Sequence, residues 1–264
     1  MLSINTYIKT LSYKYYLKNS ELNTRNINRS VEAIIKKLFA YHDDELNEVF
    51  VFGSYSRGTI LPRAYDIHSD VDIMVVFNHD EYGRTPDTYR NWLKEFAENN
   101  YNKAEIYKDH PTVVIRLNHI NFDLVPAKYE EGWFTNSYYI PSNKNSWLKT
   151  KPHDFNDTLV KANKSYDNIV KPIIRLFKAW NANVGYPFQS YDIEKFIVSL
   201  DYEDMNIQEG FLYAIKKTTT SNSQTIFQNK SIENLKSNAS EVRKCLKEGD
   251  SQKAKFYLHY IIPI

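Results

Sequence analysis

Two strand-like apolar runs, one ending in a Gly-Ser turn and the other opening on paired acids, constrain this chain more than any other stretch. The first is Val49-Phe50-Val51-Phe52, which leads into Gly53-Ser54-Tyr55-Ser56-Arg57-Gly58-Thr59. The second is Ser69-Asp70-Val71-Asp72-Ile73-Met74-Val75-Val76-Phe77. Both are rich in β-branched and aromatic residues and have strand length. Because side chains alternate along a strand, Asp70 and Asp72 project from one face. The residues after them are apolar, so the carboxylates sit at the rim of a core. A Gly-Ser turn brings backbone N–H groups close to an anionic phosphate. Two hard oxygen ligands beside such a turn suit Mg²⁺ carrying a nucleoside triphosphate. An outward strand face that happens to be acidic would also show Asp-x-Asp. The preceding Gly-Ser and the spacing between the two pieces favour the metal reading.

Gly53-Ser54 followed by Asp70-x-Asp72 resembles the catalytic signature of the polymerase-β-like nucleotidyltransferases. More narrowly, Gly53–Thr59 resembles the bacterial cGAS/DncV-like nucleotidyltransferases, the signal-making enzymes of cyclic-oligonucleotide anti-phage defence (CBASS). That resemblance implies an α/β fold, with a nucleotidyltransferase core, a helical C-terminal lobe and an active site in the cleft between them. It also implies a third carboxylate on a neighbouring strand. Thr112–Leu117 and Ile120–Val125 are strand-like runs at hairpin spacing, and Asp123 is the one acid in that hairpin. A strand acid flanked by Phe122 and Leu124 needs a partner. In the resemblance Asp123 takes the third catalytic position, where it joins the activation of a ribose hydroxyl. Two ions, Mg²⁺ or Mn²⁺, are implied on Asp70, Asp72 and Asp123.

Helices frame these strands. Ile4, Tyr7, Ile8, Leu11 and Tyr15 recur at helical spacing, and a second helix is expected from capping residues at Ser20–Thr24 to about Ala40. Lys14, Lys18, Arg25, Arg29 and Lys36 make this N-terminal region basic, which is either a solvated surface or a track for the phosphates of structured or double-stranded RNA. Pro86 opens a further helix. Residues 139–153 read as a long polar loop with an aromatic anchor, and His153 is expected in a structural hydrogen bond rather than in catalysis. Beyond about Asp154 helices dominate. Asp167 is expected to cap a helix carrying Pro172 in its early turns and the basic stripe Lys171, Arg175, Lys178. The run Lys171–Asn181 resembles the family's second-lobe helix, whose Lys reaches the donor triphosphate; Lys178 matches that place. Ser190 opens the next helix, either as its N-cap or, by the resemblance, as a triphosphate ligand. Packing helices are expected over about 231–247 and 251–261, with Cys245 in the core.

The expected partition is a core with an N-terminal bridging helix over 1–130 and a helical lobe over 131–264. A net charge of +2 argues neither for nor against nucleic acid, and one cysteine among 264 residues excludes an intrachain disulfide. No apolar run reaches membrane-spanning length, and the N-terminus is too polar for a signal peptide, so a cytoplasmic protein is expected. By the resemblance the substrates are NTPs, the product is a cyclic oligonucleotide (most simply a cyclic dinucleotide), and a downstream effector protein binds it. Alternatives are a nucleotidyltransferase that modifies an aminoglycoside or a protein, and a non-catalytic RNA-binding module.

Overall fold

The computed structural model of the chain describes residues 3–132 and 137–264. In chain order, α1 (Ile4–Lys14) and α2 (Glu21–His42) lead into β1 (Leu46–Val51), the short α3 (Gly53–Arg57) and β2 (Asp70–Phe77). Then come α4 (His79–Tyr82), α5 (Pro86–Asn100), β3 (Glu105–Asp109), β4 (Thr112–Arg116) and β5 (Asn121–Glu130). β6 (Ser137–Pro141) and β7 (Trp147–Thr150) follow. The remainder is helical: α6 (Asp154–Ser165), α7 (Val170–Asn183), α8 (Ser190–Val198), α9 (Ile207–Lys217), α10 (Ile226–Lys247) and α11 (Ser251–His259).

Two compact units emerge. One comprises residues 20–60 and 69–157, the other residues 1–19, 61–68 and 158–264. The first holds a seven-stranded sheet among the described residues, ordered β1-β2-β5-β4-β3, with β6 on β5 and β7 on β6. β2 and β5 run parallel, and the other pairs are antiparallel. Along β2 the residues Val71, Ile73, Val75 and Phe77 are fully buried. Phe77 stacks on Tyr89 of α5 with centroids 4.2 Å apart. α5 forms because Thr85 caps it, accepting from the Thr88 amide, and Pro86 occupies its first turn, where a missing N–H costs nothing. Tyr89, Leu93 and Phe96 then fall on one buried stripe. Each such side chain contributes roughly 1.5–3 kcal/mol of burial, which fixes the helix to the sheet. The opposite face of β2 changes character along its length. Asp70 and Asp72 are half-buried, whereas Met74 and Val76 close into an apolar cluster with Ala127, Phe50, Phe52, Tyr129 and Tyr138.

The boundary expected at residue 130 does not match this division. β6 pairs with the end of β5 and β7 with β6, so the sheet-bearing unit runs to Asp157. The residues expected to be a polar loop are thus largely a hairpin. Ser137-Tyr-Tyr-Ile-Pro141 supplies β-forming residues, and the connection closes on Asn143, whose Oδ1 accepts from the amides of Asn145 and Ser146. The N-terminal nineteen residues group with the helical unit, where α1 packs on α7, α9 and α11.

Within that helical unit, α7 is buried almost all round: Ile173, Ile174, Leu176, Phe177 and Trp180 are buried, and so are Arg175 and Lys178 of the expected basic stripe. Asp167 does not cap it. Asp167 and Asn168 both adopt left-handed backbone (φ +47° and +62°) in the turn from α6, and Ile169 holds the cap position. Ser20 does cap α2, accepting from the Asn23 amide. Cys245 is a buried free cysteine on α10. No helix among the described residues is long and apolar enough to cross a membrane.

Candidate active site

The three predicted carboxylates come together through strand register. β2 and β5 run parallel with Asp70 opposite Asn121 and Asp72 directly opposite Asp123. All three acids are half-buried, while the intervening Val71, Ile73, Phe122 and Leu124 are buried on the other face. The two-residue repeat of a strand therefore places Asp70, Asp72 and Asp123 on one surface. β4 adds a contact the sequence did not reveal: the Thr112 hydroxyl donates to Asp123 Oδ2 at 3.4 Å.

Electrostatics mark this corner. Burial, and then the charge of Asp70, push the Asp123 carboxyl up to about 7, against the opposing pull of the Thr112 hydrogen bond. Asn121, 8% exposed and opposite Asp70, has its Oδ1 buried without a hydrogen-bond partner. Among the described residues no three His, Cys, Asp or Glu side chains are already gathered as a metal-holding group. The donor chemistry nonetheless fits a hard divalent cation. Clustered carboxylates, one of them biased toward its neutral form by burial and then by Asp70, are relieved by positive charge.

Gly53 stands against the same acids. Phe52 donates its amide to the Asp72 carbonyl at 3.0 Å, which carries β1 past its last strand residue and delivers Gly53 to the acidic face. Gly53 has φ +69°, and a Cβ there would lie 1.8 Å from Asp72 Oδ2. Its backbone and its missing side chain are both required. The turn expected after it is a single helical turn, α3, pinned from several sides. Ser56 Oγ donates to the Gly53 carbonyl at 2.9 Å, and the amides of Thr59 and Ile60 donate to the Ser54 carbonyl at 3.0 and 3.2 Å. The Tyr55 hydroxyl donates to Asn28 Oδ1 on α2 at 2.6 Å. Ser54 itself is half-buried. Gly53→Ala is expected to displace the Asp72 carboxylate while the rest of the sheet keeps its packing. Near-native far-UV circular dichroism with lost activity is the expected result; an unchanged rate would remove Gly53 from the site.

Lys178 and Ser190 lie in the helical unit. Lys178 is 4% exposed and donates to Glu194 Oε1 at 2.5 Å, with Glu194 wholly buried on α8. The sequence reading did not include Glu194, although an acid among Ile193 and Ile197 on the buried stripe of α8 is the signal that would have found it. Ser190 is the first helical residue of α8 rather than its cap, which is Gln189. Asn181, three residues after Lys178, clamps the loop before α8. Its Nδ2 donates to the Phe188 carbonyl at 2.8 Å and its Oδ1 accepts from the Phe188 amide at 3.0 Å. That pair sets where Ser190 begins.

The remaining predicted residues are placed as follows. Arg25, Arg29 and Lys36 are exposed on α2 in the sheet-bearing unit. Lys14 is exposed at the end of α1, and Lys18 is half-buried, its ammonium held below its usual value by that burial. Both belong to the helical unit, so the five cations are divided. His153 packs its ring on Phe50 (centroids 4.9 Å) and Tyr138 (6.1 Å), a ring contact in place of the expected hydrogen bond.

Residues 3–163 match the family model of the Second Messenger Oligonucleotide or Dinucleotide Synthetase (SMODS) domain. A probable cyclic nucleotide synthase of Bacillus cereus (strain VD146) is 29% identical over 214 residues, covering 68% of this chain and 61% of that protein. The chain thus spans about three fifths of that relative's length. The solved structure of E. coli MS115-1 CdnC with ATP superposes with a TM-score of 0.70 at 14% identity, covering 98% of this chain and 97% of that one. Bradyrhizobium diazoefficiens CdnG in complex with GTP gives 0.71 at 11% identity, with coverages of 97% and 98%. At such identities these likenesses concern the fold. With its sheet, its Gly-Ser turn and its in-register carboxylates inside the matched segment, the chain belongs to the Second Messenger Oligonucleotide or Dinucleotide Synthetase family.

Proposed function

We propose that this protein is a metal-dependent nucleotidyltransferase that joins NTPs into a cyclic oligonucleotide, most simply a cyclic dinucleotide, serving as a messenger in anti-phage defence. The observation that carries this reading is the register of Asp72 with Asp123 beside Asp70, facing a glycine that has no room for a side chain. Asp70, Asp72 and Asp123 would hold Mg²⁺ or Mn²⁺, two ions by the resemblance, supplying Lewis-acid charge at the phosphates and at an attacking hydroxyl. Gly53 and Ser54 present backbone and hydroxyl to the triphosphate. Asp123, pushed toward its neutral form in the free protein by burial and then by Asp70, would accept the proton of the ribose hydroxyl when it is a carboxylate. Lys178 and Ser190 bind the phosphate tail, which requires Lys178 to exchange some of its bond to Glu194 for the ligand. Pyrophosphate leaves, and a second transfer closes the ring.

Incubation with all four radiolabelled NTPs and Mg²⁺ or Mn²⁺, followed by phosphatase, tests the reading. The expected result is a phosphatase-resistant small molecule formed without any acceptor drug or protein. Label appearing on an aminoglycoside or on a polypeptide instead would reassign the protein, and absence of any transfer would leave the non-catalytic RNA-binding alternative.

The partners follow from this reading: NTPs as substrates, a downstream effector protein for the product, and structured or double-stranded RNA as the activator. The exposed Arg25, Arg29 and Lys36 of α2 support the RNA proposal because they offer charge with little means to read bases. Duplex RNA is expected to raise the wild-type rate at low salt. Arg25→Glu/Arg29→Glu should lessen that response and flatten its salt dependence by about one log–log unit for each phosphate no longer neutralised. An unchanged wild-type rate with RNA at low salt eliminates the switch.

A further inference from the structure

The helical unit contains a cavity of about 760 Å³ whose chemistry the carboxylate site does not use. α1 contributes Lys9, Ser12 and Tyr13, the residue after its C-cap contributes Tyr16, and the first half of α7 contributes Lys171 and Arg175. Arg175 is the cation in the buried part of the lining, beside Ser12 and Ile207. Arg175 is 7% exposed, donates from Nε to the Ser12 carbonyl at 3.3 Å, and lies 4.5 Å over the Tyr16 ring. Lys171, one helical turn earlier, is half-buried. Among the described residues its ammonium makes no ion pair, although its backbone amide is held by Asn163 Oδ1 at 2.9 Å. Lys18 is close enough to act on it electrostatically.

Gathering like charges in a half-dry setting is unfavourable, and its trace is visible. Lys171 is pulled below its usual value by burial first, then by Lys18 and Arg175, with only Glu194 opposing. Glu194 is already committed to Lys178. This mirrors, with the sign reversed, what the acids do on the sheet. The exposed part of the lining includes two carboxylates, Asp167 and Asp204. They disfavour an extended polyanion lying across the opening but leave the cationic floor available to a single compact anion.

We propose that this cavity binds a phosphate-bearing small molecule, whose phosphate sits against Lys171 and Arg175 while Tyr13 and Tyr16 flank the rest of it. Arg175 is preset for the task by the Ser12 carbonyl and the Tyr16 ring, so little side-chain entropy is lost when it binds. The volume admits more than an inorganic ion, and the tyrosines offer a planar group something to pack on. The site stands whether or not the carboxylates transfer nucleotides.

The test is calorimetric titration of the full chain, in EDTA so that metal-dependent nucleotide binding is absent, with tripolyphosphate, ATP and adenosine as probes. Tripolyphosphate and ATP are expected to bind, and Lys171→Gln to weaken both by about tenfold, the loss of one charge-assisted hydrogen bond. Lys9→Gln, an exposed change on the facing helix, should weaken them in the same direction. Ser54→Ala, in the proposed triphosphate cradle, should leave this binding unchanged. Thermal melting of Lys171→Gln should match or exceed wild type, because a like charge has been removed. ATP binding tighter than tripolyphosphate assigns the ligand as a nucleotide, and equal binding assigns a polyphosphate. The proposal is overturned if neither phosphate probe binds, if Lys171→Gln binds as wild type does, or if adenosine binds as well as ATP. It is also overturned if duplex RNA displaces tripolyphosphate in a Lys171-dependent manner, which would make the cavity part of a nucleic-acid surface.

Discussion

Asp70→Ala/Asp72→Ala is expected to abolish product formation, by at least about a thousandfold, while the protein melts at or above the wild-type temperature in metal-free buffer. The two effects are expected to separate if, as proposed, the acids serve the reaction and not the fold. Metal-centred charge stabilisation is worth several kcal/mol in the transition state, and each 1.4 kcal/mol is about tenfold in rate. In the metal-free protein burial and then the charge of Asp70 already disfavour the ionised form of Asp123. The pH dependence carries the same sign. The folded-state value of Asp123 is raised above that of the unfolded chain, so its favourable contribution is complete below about 4 and is lost as the pH rises through about 7. Asp123→Asn, which cannot ionise, should therefore gain on wild type in melting temperature across that window and match it in acid. Added Mg²⁺ should raise the wild-type melting temperature above pH 7 and leave the double mutant unmoved. Full activity in Asp70→Ala/Asp72→Ala would sink the assignment of the site.

Lys178→Met is expected to behave in the opposite way, losing stability together with activity. Lys178 is 4% exposed and its partner Glu194 is 0% exposed, so deleting the ammonium takes a countercharge away from a carboxylate in the core. Breaking a buried pair from one side typically costs about 3–5 kcal/mol, enough to threaten a domain of ordinary stability. Adding Glu194→Gln to Lys178→Met removes the buried negative charge and should restore most of the melting temperature, since replacing both partners is often near neutral. Activity should stay low in the double mutant if Lys178 touches the triphosphate. A double mutant that regains both would make Lys178 purely structural. A single mutant that melts like wild type would contradict the burial of the pair. Loss of activity in Lys178→Met alone is therefore no evidence of phosphate binding by that lysine.

Local order carried the sequence reading a long way. Asp70 and Asp72 sit two apart in an apolar run, and a strand has only one way to display them. Gly53 followed by Ser54 marked a turn with a left-handed residue, which the φ of +69° at Gly53 bears out. Pro86 opened α5, where its missing N–H costs nothing, and Ser20 among the expected capping residues capped α2. All of these are interactions within a few residues, or periodicities that burial imposes on one element.

Pairings distant along the chain had to wait for the tertiary structure. The alignment of Asp123 with Asp72 is a register between strands separated by α5 and two other strands, and shifting it by one residue would turn Asp123 to the opposite face. The bond of Lys178 to Glu194 joins two helices, and nothing in either stretch alone says that the lysine is sequestered. β6 and β7 became strands because β5 offered an edge to pair with, so the unit boundary moved from residue 130 to 157. The five N-terminal cations, continuous in sequence, were divided because α1 packs on the C-terminal helices whereas α2 packs on the sheet. Propensity and periodicity act over a turn or a strand; register, burial of charge and the allegiance of a helix are set by surfaces that meet only when the chain has folded.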